Sequence, residues 1–189
     1  KVFPMYPMEF VDNEKVFHRH TLVIGISQAG RSTSTVEALK HAREQGFAAI
    51  AVTASEGKPV CEAADCTVLL AIGEELAGPK TKGYQGSVAT IVLLGLNLAV
   101  WQGKISEDRK NEIVQRMIRT ADQIPDIAAK SWEWYKKNQE ELKKSRRILV
   151  LGYEACMGAM LEGTLKVLEA VRYGVTGYEL EEFMHGIYH

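Results

Sequence analysis

Residues 22–45 constrain the fold more than any other stretch. Leu22-Val23-Ile24-Gly25-Ile26 is an uninterrupted apolar run rich in β-branched residues, which reads as a buried parallel strand. From Val36 onward, Val36, Leu39 and Ala42 recur with a helical period. Between them lies a polar turn holding Ser27, Ser32, Thr33, Ser34 and Thr35. Strand, turn and helix in that order put these hydroxyls at a helix N-terminus, where unpaired N–H groups and the macrodipole favour an anion. Two readings stand at this point. Ser and Thr cap any helix, so one or two would be start signals only. Five, with Gly30 leaving room for close backbone approach, exceed what a cap needs and suit a phosphate.

The pattern repeats. Gly46 is a helix stop, Ala48–Thr53 a second buried strand, Val60–Ala64 a short helix and Cys66–Ile72 a third strand. Strands alternating with helices at this spacing predict right-handed βαβ crossovers and an α/β parallel sheet in three α-β-α layers. Such sheets bind ligands beyond the carboxyl ends of their strands, where Ser27, Thr53 and Gly73 would lie. Residues 73–84, rich in Gly, Pro and charge, would sit on the same rim. Residues 1–20 suggest one or two short strands with irregular connections.

Composition narrows the function classes. The 189 residues carry 23 basic and 24 acidic side chains, a formal charge of -1, so no global field recruits nucleic acid or an anionic membrane. Hydrophobic content of 46% with 25% charged residues suits an ordinary globular chain. Cys61, Cys66 and Cys156 lack paired spacing, which argues against a disulfide framework and a structural zinc and for reduced cytoplasmic thiols. The longest apolar stretch, Val88–Trp101, is interrupted by Thr90, Gly95 and Asn97, so no membrane span is expected. The start at Lys1 and the end soon after a motif suggest part of a longer chain.

Tyr84–Gln102 reads as a largely buried helix, and residues 106–143 as mostly helical with a break at Pro125. At Arg147 a second unit opens, with Ile148–Leu151 as a strand and Gly158–Tyr173 as a helix. The expected organisation is a first domain over 1–105, a helical linker over 106–145 and the start of a second domain over 146–189. Glu162 and Glu169, seven apart, return to nearly one helix face with Lys166 between them. They form either a solvated Glu-Lys-Glu ladder or a carboxylate aimed into a cleft as a general base with Lys166 orienting it. His185, before Gly186, is a surface imidazole or a proton shuttle. It shares no ligand spacing with the other histidines, and no metal or cofactor is expected.

Three segments resemble the sugar isomerase (SIS) domain family, in the two-domain arrangement of the isomerase half of glucosamine-6-phosphate synthase and of the ketosamine-6-phosphate deglycases. Ile26-Ser27-Gln28-Ala29-Gly30-Arg31-Ser32 is similar to the family's S-x-S-G-x-T phosphate loop. Ala77-Gly78-Pro79-Lys80-Thr81-Lys82-Gly83-Tyr84 resembles A-G-P-E…S-T-K-A-[FY], shortened. Leu161-Glu162-Gly163-Thr164-Leu165-Lys166-Val167-Leu168-Glu169, followed by Glu182-Phe183-Met184-His185-Gly186, resembles L-E-G-A-L-K-L-K-E…E-L-K-H-G with its spacing kept.

The resemblance implies a flavodoxin-like SIS domain that grips a sugar 6-phosphate through Ser27, Gln28 and Ser32, with Arg31, Thr81, Lys82 and Glu162 also near substrate. It implies that Glu169 moves a proton between C1 and C2 and that His185 helps open the sugar ring from a neighbouring subunit, hence a homodimer or larger homo-oligomer. Ala29 stands where the family has serine and Arg31 where it has an acid, so one phosphate donor is lost and a positive charge replaces it. The family's opening G-x-G-T-S strand and the synthase's late lysine have no counterpart in the sequence. Synthase activity is therefore not expected, while isomerase, deaminase and deglycase activity stay open. A non-catalytic sugar-phosphate sensor is the rival, although no basic helix-turn-helix precedes the domain. A dinucleotide site would need G-x-G-x-x-G after the first strand, which is missing.

Overall fold

The computed structural model describes residues 1–186, and it divides into two compact units, Lys1–Gln115 and Arg116–His189. In the first unit, helix α1 (Pro7–Asn13) precedes a 3₁₀ turn, strand β1 (Leu22–Ile26) and helix α2 (Thr33–Glu44). Strand β2 (Ala48–Thr53), the single-turn helix α3 (Pro59–Glu62) and strand β3 (Cys66–Leu69) follow. The strands form a parallel sheet in the order β1-β2-β3, with Leu22 opposite Ala48 and Thr53 opposite Leu69. β2 is the middle strand and buries residues of both faces, Ala49, Ala51 and Thr53 on one and Val52 on the other. The α/β class with parallel pairing is thus the observed one.

The core forms where α2 crosses the sheet. Leu39 and Ala42 are fully buried, joined by Phe10 of α1, Phe47, Ala49, Ala51 and Val60. Their helical spacing on α2 and alternate spacing on β2 are what let one face of each element meet. Residues 7–13 are helical where short strands were expected. Pro7 suits the first helical position, the Tyr6 backbone N–H donates to the Glu9 carboxylate at 3.3 Å, and Phe10 anchors the helix against Phe17 and Phe47. β3 ends at Leu69 rather than Ile72 because its partner β2 ends at Thr53, and the last rung is the Leu70 N–H to Thr53 carbonyl bond at 2.8 Å.

Helix α4 (Lys82–Trp101) departs furthest from expectation. Among its residues Gly83 alone is buried, while Val88 is 45% and Trp101 81% exposed. No charge interrupts residues 83–101, and Thr90, Gly95 and Asn97 lower the mean hydropathy only to 1.4. By length and composition the helix is therefore able to cross a membrane, contrary to the expectation from its polar interruptions. Helix α5 (Glu107–Asp122) spans the division between the units, and α6 (Ile124–Lys144) starts with Pro125 in its first turn, so the proline opens a helix.

The second unit pairs strand β4 (Ile148–Gly152) in parallel with β5 (Val175–Glu179), a strand the sequence reading missed. Between them run helix α7 (Met157–Lys166) and a π-helical turn, Val167–Val171, which closes at Arg172 in the left-handed region with φ 55°. The expected helix to Tyr173 therefore changes its winding after Lys166. Buried Met160 lies over Gly152, where a Cβ would come 2.6 Å from its own Cβ. Helix α8 (Leu180–His185) completes the unit, with Glu179 accepting from the N–H groups of Glu181 and Glu182 at 2.7 and 3.0 Å.

Candidate functional site

The turn between β1 and α2 is built by hydrogen bonds that carry the chain sharply off the sheet. The Ser27 N–H donates to the Val52 carbonyl at 2.9 Å, extending the β1 ladder, and the Gly30 N–H returns to the Ser27 carbonyl at 2.9 Å. Gly30 has φ +67°, and a Cβ there would overlap Lys58 and lie 2.9 Å from Thr53 Oγ1, so only glycine fits. Its carbonyl accepts from the Val60 N–H at 3.1 Å, tying the turn to α3. Gln28 is fixed through its carbonyl, which accepts from the Ala54 N–H at 2.9 Å and Thr53 Oγ1 at 3.1 Å.

The hydroxyls gather at the start of α2. Ser27 is buried, and its Oγ accepts from the Ser32 N–H at 3.4 Å. Ser32 is the residue before the first helical position, and its Oγ accepts from Thr35 Oγ1 at 3.1 Å and lies 3.4 Å from Ser34 Oγ. Neither bond to Ser27 nor that to Ser34 is short, so a stronger acceptor would compete well for these donors. Arg31 is exposed at the mouth of the turn, beside the positive end of a 12-residue helix.

Facing this turn is the segment that opens α4. Glu75 Oε2 accepts from the N–H groups of Thr81 and Gly83 at 3.2 and 2.8 Å, and Lys82 Nζ donates to the Glu74 carbonyl. The Gly83 N–H bond, ahead of the Thr81 N–H bond and the charges of Lys80 and Lys82, holds the Glu75 carboxyl below its ordinary range against a desolvation that opposes it. Gly83 lies directly against the Gln28 carboxamide, which a Cβ on it would overlap. The structure thus brings Gln28 to the first turn of α4, where Thr81 and Lys82 also lie.

In the second unit Lys166 Nζ bridges Glu169 Oε2 at 2.6 Å and Glu162 Oε1 at 3.3 Å, so the three residues share one face as their spacing required. Glu169 belongs to the π-helical turn, with its side chain 41% exposed. The bond to Glu169 raises Lys166 above its ordinary value, against opposing desolvation, and the bond to Glu162 adds to it. His185 is exposed in the last turn of α8. Among the described residues no group of three or more His, Cys, Asp or Glu could hold a metal. Sequence reasoning missed Glu75 and Gly83. A signal existed in the paired acids Glu74-Glu75 upstream of a helix whose first turn has no acid of its own.

The parallel sheet, with a hydroxyl-rich helix start beyond the carboxyl end of β1, defines the first unit as an α/β domain of the parallel-sheet class. Residues 6–97 match the SIS domain model, so this stretch of the chain is a SIS-type domain. Over 94% of its length it is 31% identical to the isomerizing glutamine–fructose-6-phosphate aminotransferase of Mycobacterium leprae, of which it spans 28%. It is 30% identical to the same enzyme of Leifsonia xyli, of which it spans 29%. A Clostridium difficile 630 protein provisionally named a phosphosugar isomerase superposes over 97% of this chain and 53% of its own, with TM-score 0.92 and 36% identity. The chain therefore spans less than a third of these curated relatives and about half of that solved one.

Proposed function

We propose that this chain supplies part of a phosphosugar-processing enzyme that binds a 6-phosphorylated amino sugar or ketosamine and transfers a proton between its C1 and C2. The carrying observation is the turn opening α2, where the hydroxyls of Ser27, Ser32 and Thr35 gather at the helix N-terminus and the Gln28 backbone is pinned alongside. Ser27, Gln28 and Ser32 would hold the phosphate, and Arg31, Thr81 and Lys82 would contact the substrate from the rim. Glu169 would take the proton from C2 of an aldose, leaving an enediol, and return it to C1 to give the ketose, with Glu162 and Lys166 orienting it. With an amine at C2 the same abstraction gives an enaminol, which takes the proton back at C1 to become the C2 imine, and water adds to that imine to release the amine and leave the ketose. His185 would assist ring opening, donated to a neighbouring subunit in a homodimer.

In this reading residues 1–105 are a first SIS domain, 106–145 a helical linker and 146–189 the start of a second. The parallel pair β4 and β5 with α7 between them supports that division. Free Cys61, Cys66 and Cys156 support a reducing, cytoplasmic location. One observation favours a second reading, a non-catalytic sugar-phosphate sensor: the Glu169 carboxylate is occupied by Lys166 at 2.6 Å, as in a surface ladder.

Turnover of fructose 6-phosphate, glucosamine 6-phosphate and a fructosyl-amino-acid 6-phosphate tests both. The enzyme reading expects product from at least one, with Glu169→Gln slower by about 10²–10⁴-fold. Binding without product, unchanged in Glu169→Gln, establishes the sensor. Neither binding nor turnover removes both.

A further inference from the structure

We infer that Glu75 is a positioning residue for sugar-phosphate binding, acting through Gly83 on the carboxamide of Gln28. The inference rests on the proposed role of Gln28 as a phosphate ligand. Its geometry is a short chain of contacts within the first unit. Glu75 Oε2 takes the N–H groups of Thr81 and Gly83 at 3.2 and 2.8 Å, and Thr81, the residue before α4, makes no side-chain cap of its own. A residue outside the helix thus does the capping.

The consequence lies in what Gly83 touches. It is the buried residue of α4, and the Gln28 carboxamide fills the space that a Cβ would occupy. Gln28 is held at its other end by its carbonyl, so the side chain is the part left free to move. The α4 backbone is the wall that sets its direction, and Glu75 fixes that wall. The segment between Glu75 and Thr81 has little else to anchor it, with Leu76 84% exposed. Removing the carboxylate frees two N–H groups, loosens the first turn of α4 and lets the carboxamide leave its place against Gly83.

Titration calorimetry with fructose 6-phosphate on the full chain tests this in Glu75→Ala, Gln28→Ala and the double variant. Glu75→Ala is expected to bind about tenfold more weakly, the scale of one hydrogen bond involving a charged group. Because Glu75 acts through Gln28, the double variant should bind no more weakly than Gln28→Ala alone. Gly83→Ala, which displaces the carboxamide while keeping the Glu75 carboxylate and the N–H it accepts from, should reproduce the loss, and circular dichroism identifies any variant that has not folded. Wild-type affinity in Glu75→Ala, or additive losses in the double variant, overturns the inference. Should the unaltered chain not bind fructose 6-phosphate, the sugar-phosphate reading of that probe fails separately. The Gln28 side-chain amide resonances of the ligand-free protein then decide: they shift in Glu75→Ala if Glu75 positions Gln28, and stay put if it does not.

Discussion

At the scale of single residues, charge placed on backbone N–H groups decides how the rim holds together. Glu75 keeps its proton off because the Gly83 N–H, first, and the Thr81 N–H stabilise the anion. Its folded value lies below the ordinary 4.5, so its contribution to stability is complete above that value and is lost as pH falls through the lowered one. Thermal unfolding followed from pH 6 downward should therefore show an acid-side decline that is shallower in Glu75→Gln, which has no charge to lose. Equal slopes would show that the carboxylate does not cap α4 in solution. The role of Glu75 was hidden in the sequence because an acid six and eight positions from its two donors follows no helix or strand period. Ser27 and Ser32 were legible, since their place is fixed by strand, turn and helix in direct succession. For Glu162, Lys166 and Glu169 the helical spacing announced the shared face, and the two bridges of Lys166 realise it.

At the scale of elements, apolar periodicity located the strands of the first sheet and the helix α2 packed over them. β1 and β2 occur where β-branched and small apolar runs ended at a polar turn, and α2 where Leu39 and Ala42 share a face. Leu39 is fully buried beneath α2, so Leu39→Ala should cost about 2–5 kcal/mol and lower the unfolding midpoint by several degrees, read by denaturant or thermal melts. An effect under about 1 kcal/mol would mean that α2 does not carry the core. Where burial does not govern, the pattern misled. α1 is set by a proline start and the Glu9 cap rather than by an apolar stripe. α4 is apolar all round, which reads as burial, yet apart from Gly83 its residues are half-buried or exposed. β5, Val-Thr-Gly-Tyr-Glu, holds a glycine and alternates weakly, and its pairing with β4 is a long-range contact that no local window contains.

At the scale of the whole chain, two parallel α/β units follow one another, and the residues proposed for phosphate and for proton transfer fall in different ones: Ser27, Gln28 and Ser32 in the first, Glu169 in the second. That partition was legible from motif order alone, because each motif sits at the end of its own strand or on the helix after it. It carries a prediction about kinetics. The turn hydroxyls would touch the phosphate equally in ground and transition states, so Ser27→Ala should raise KM by about tenfold and change kcat little. Glu169 would act only as the proton moves, so Glu169→Gln should lower kcat by orders of magnitude while calorimetric affinity for fructose 6-phosphate stays within about threefold. Steady-state kinetics of the two variants on one turned-over sugar phosphate separates the effects. If Ser27→Ala depressed kcat as severely as Glu169→Gln, or if Glu169→Gln lost affinity instead of turnover, then gripping the phosphate and moving the proton would not be divided between the units in this way.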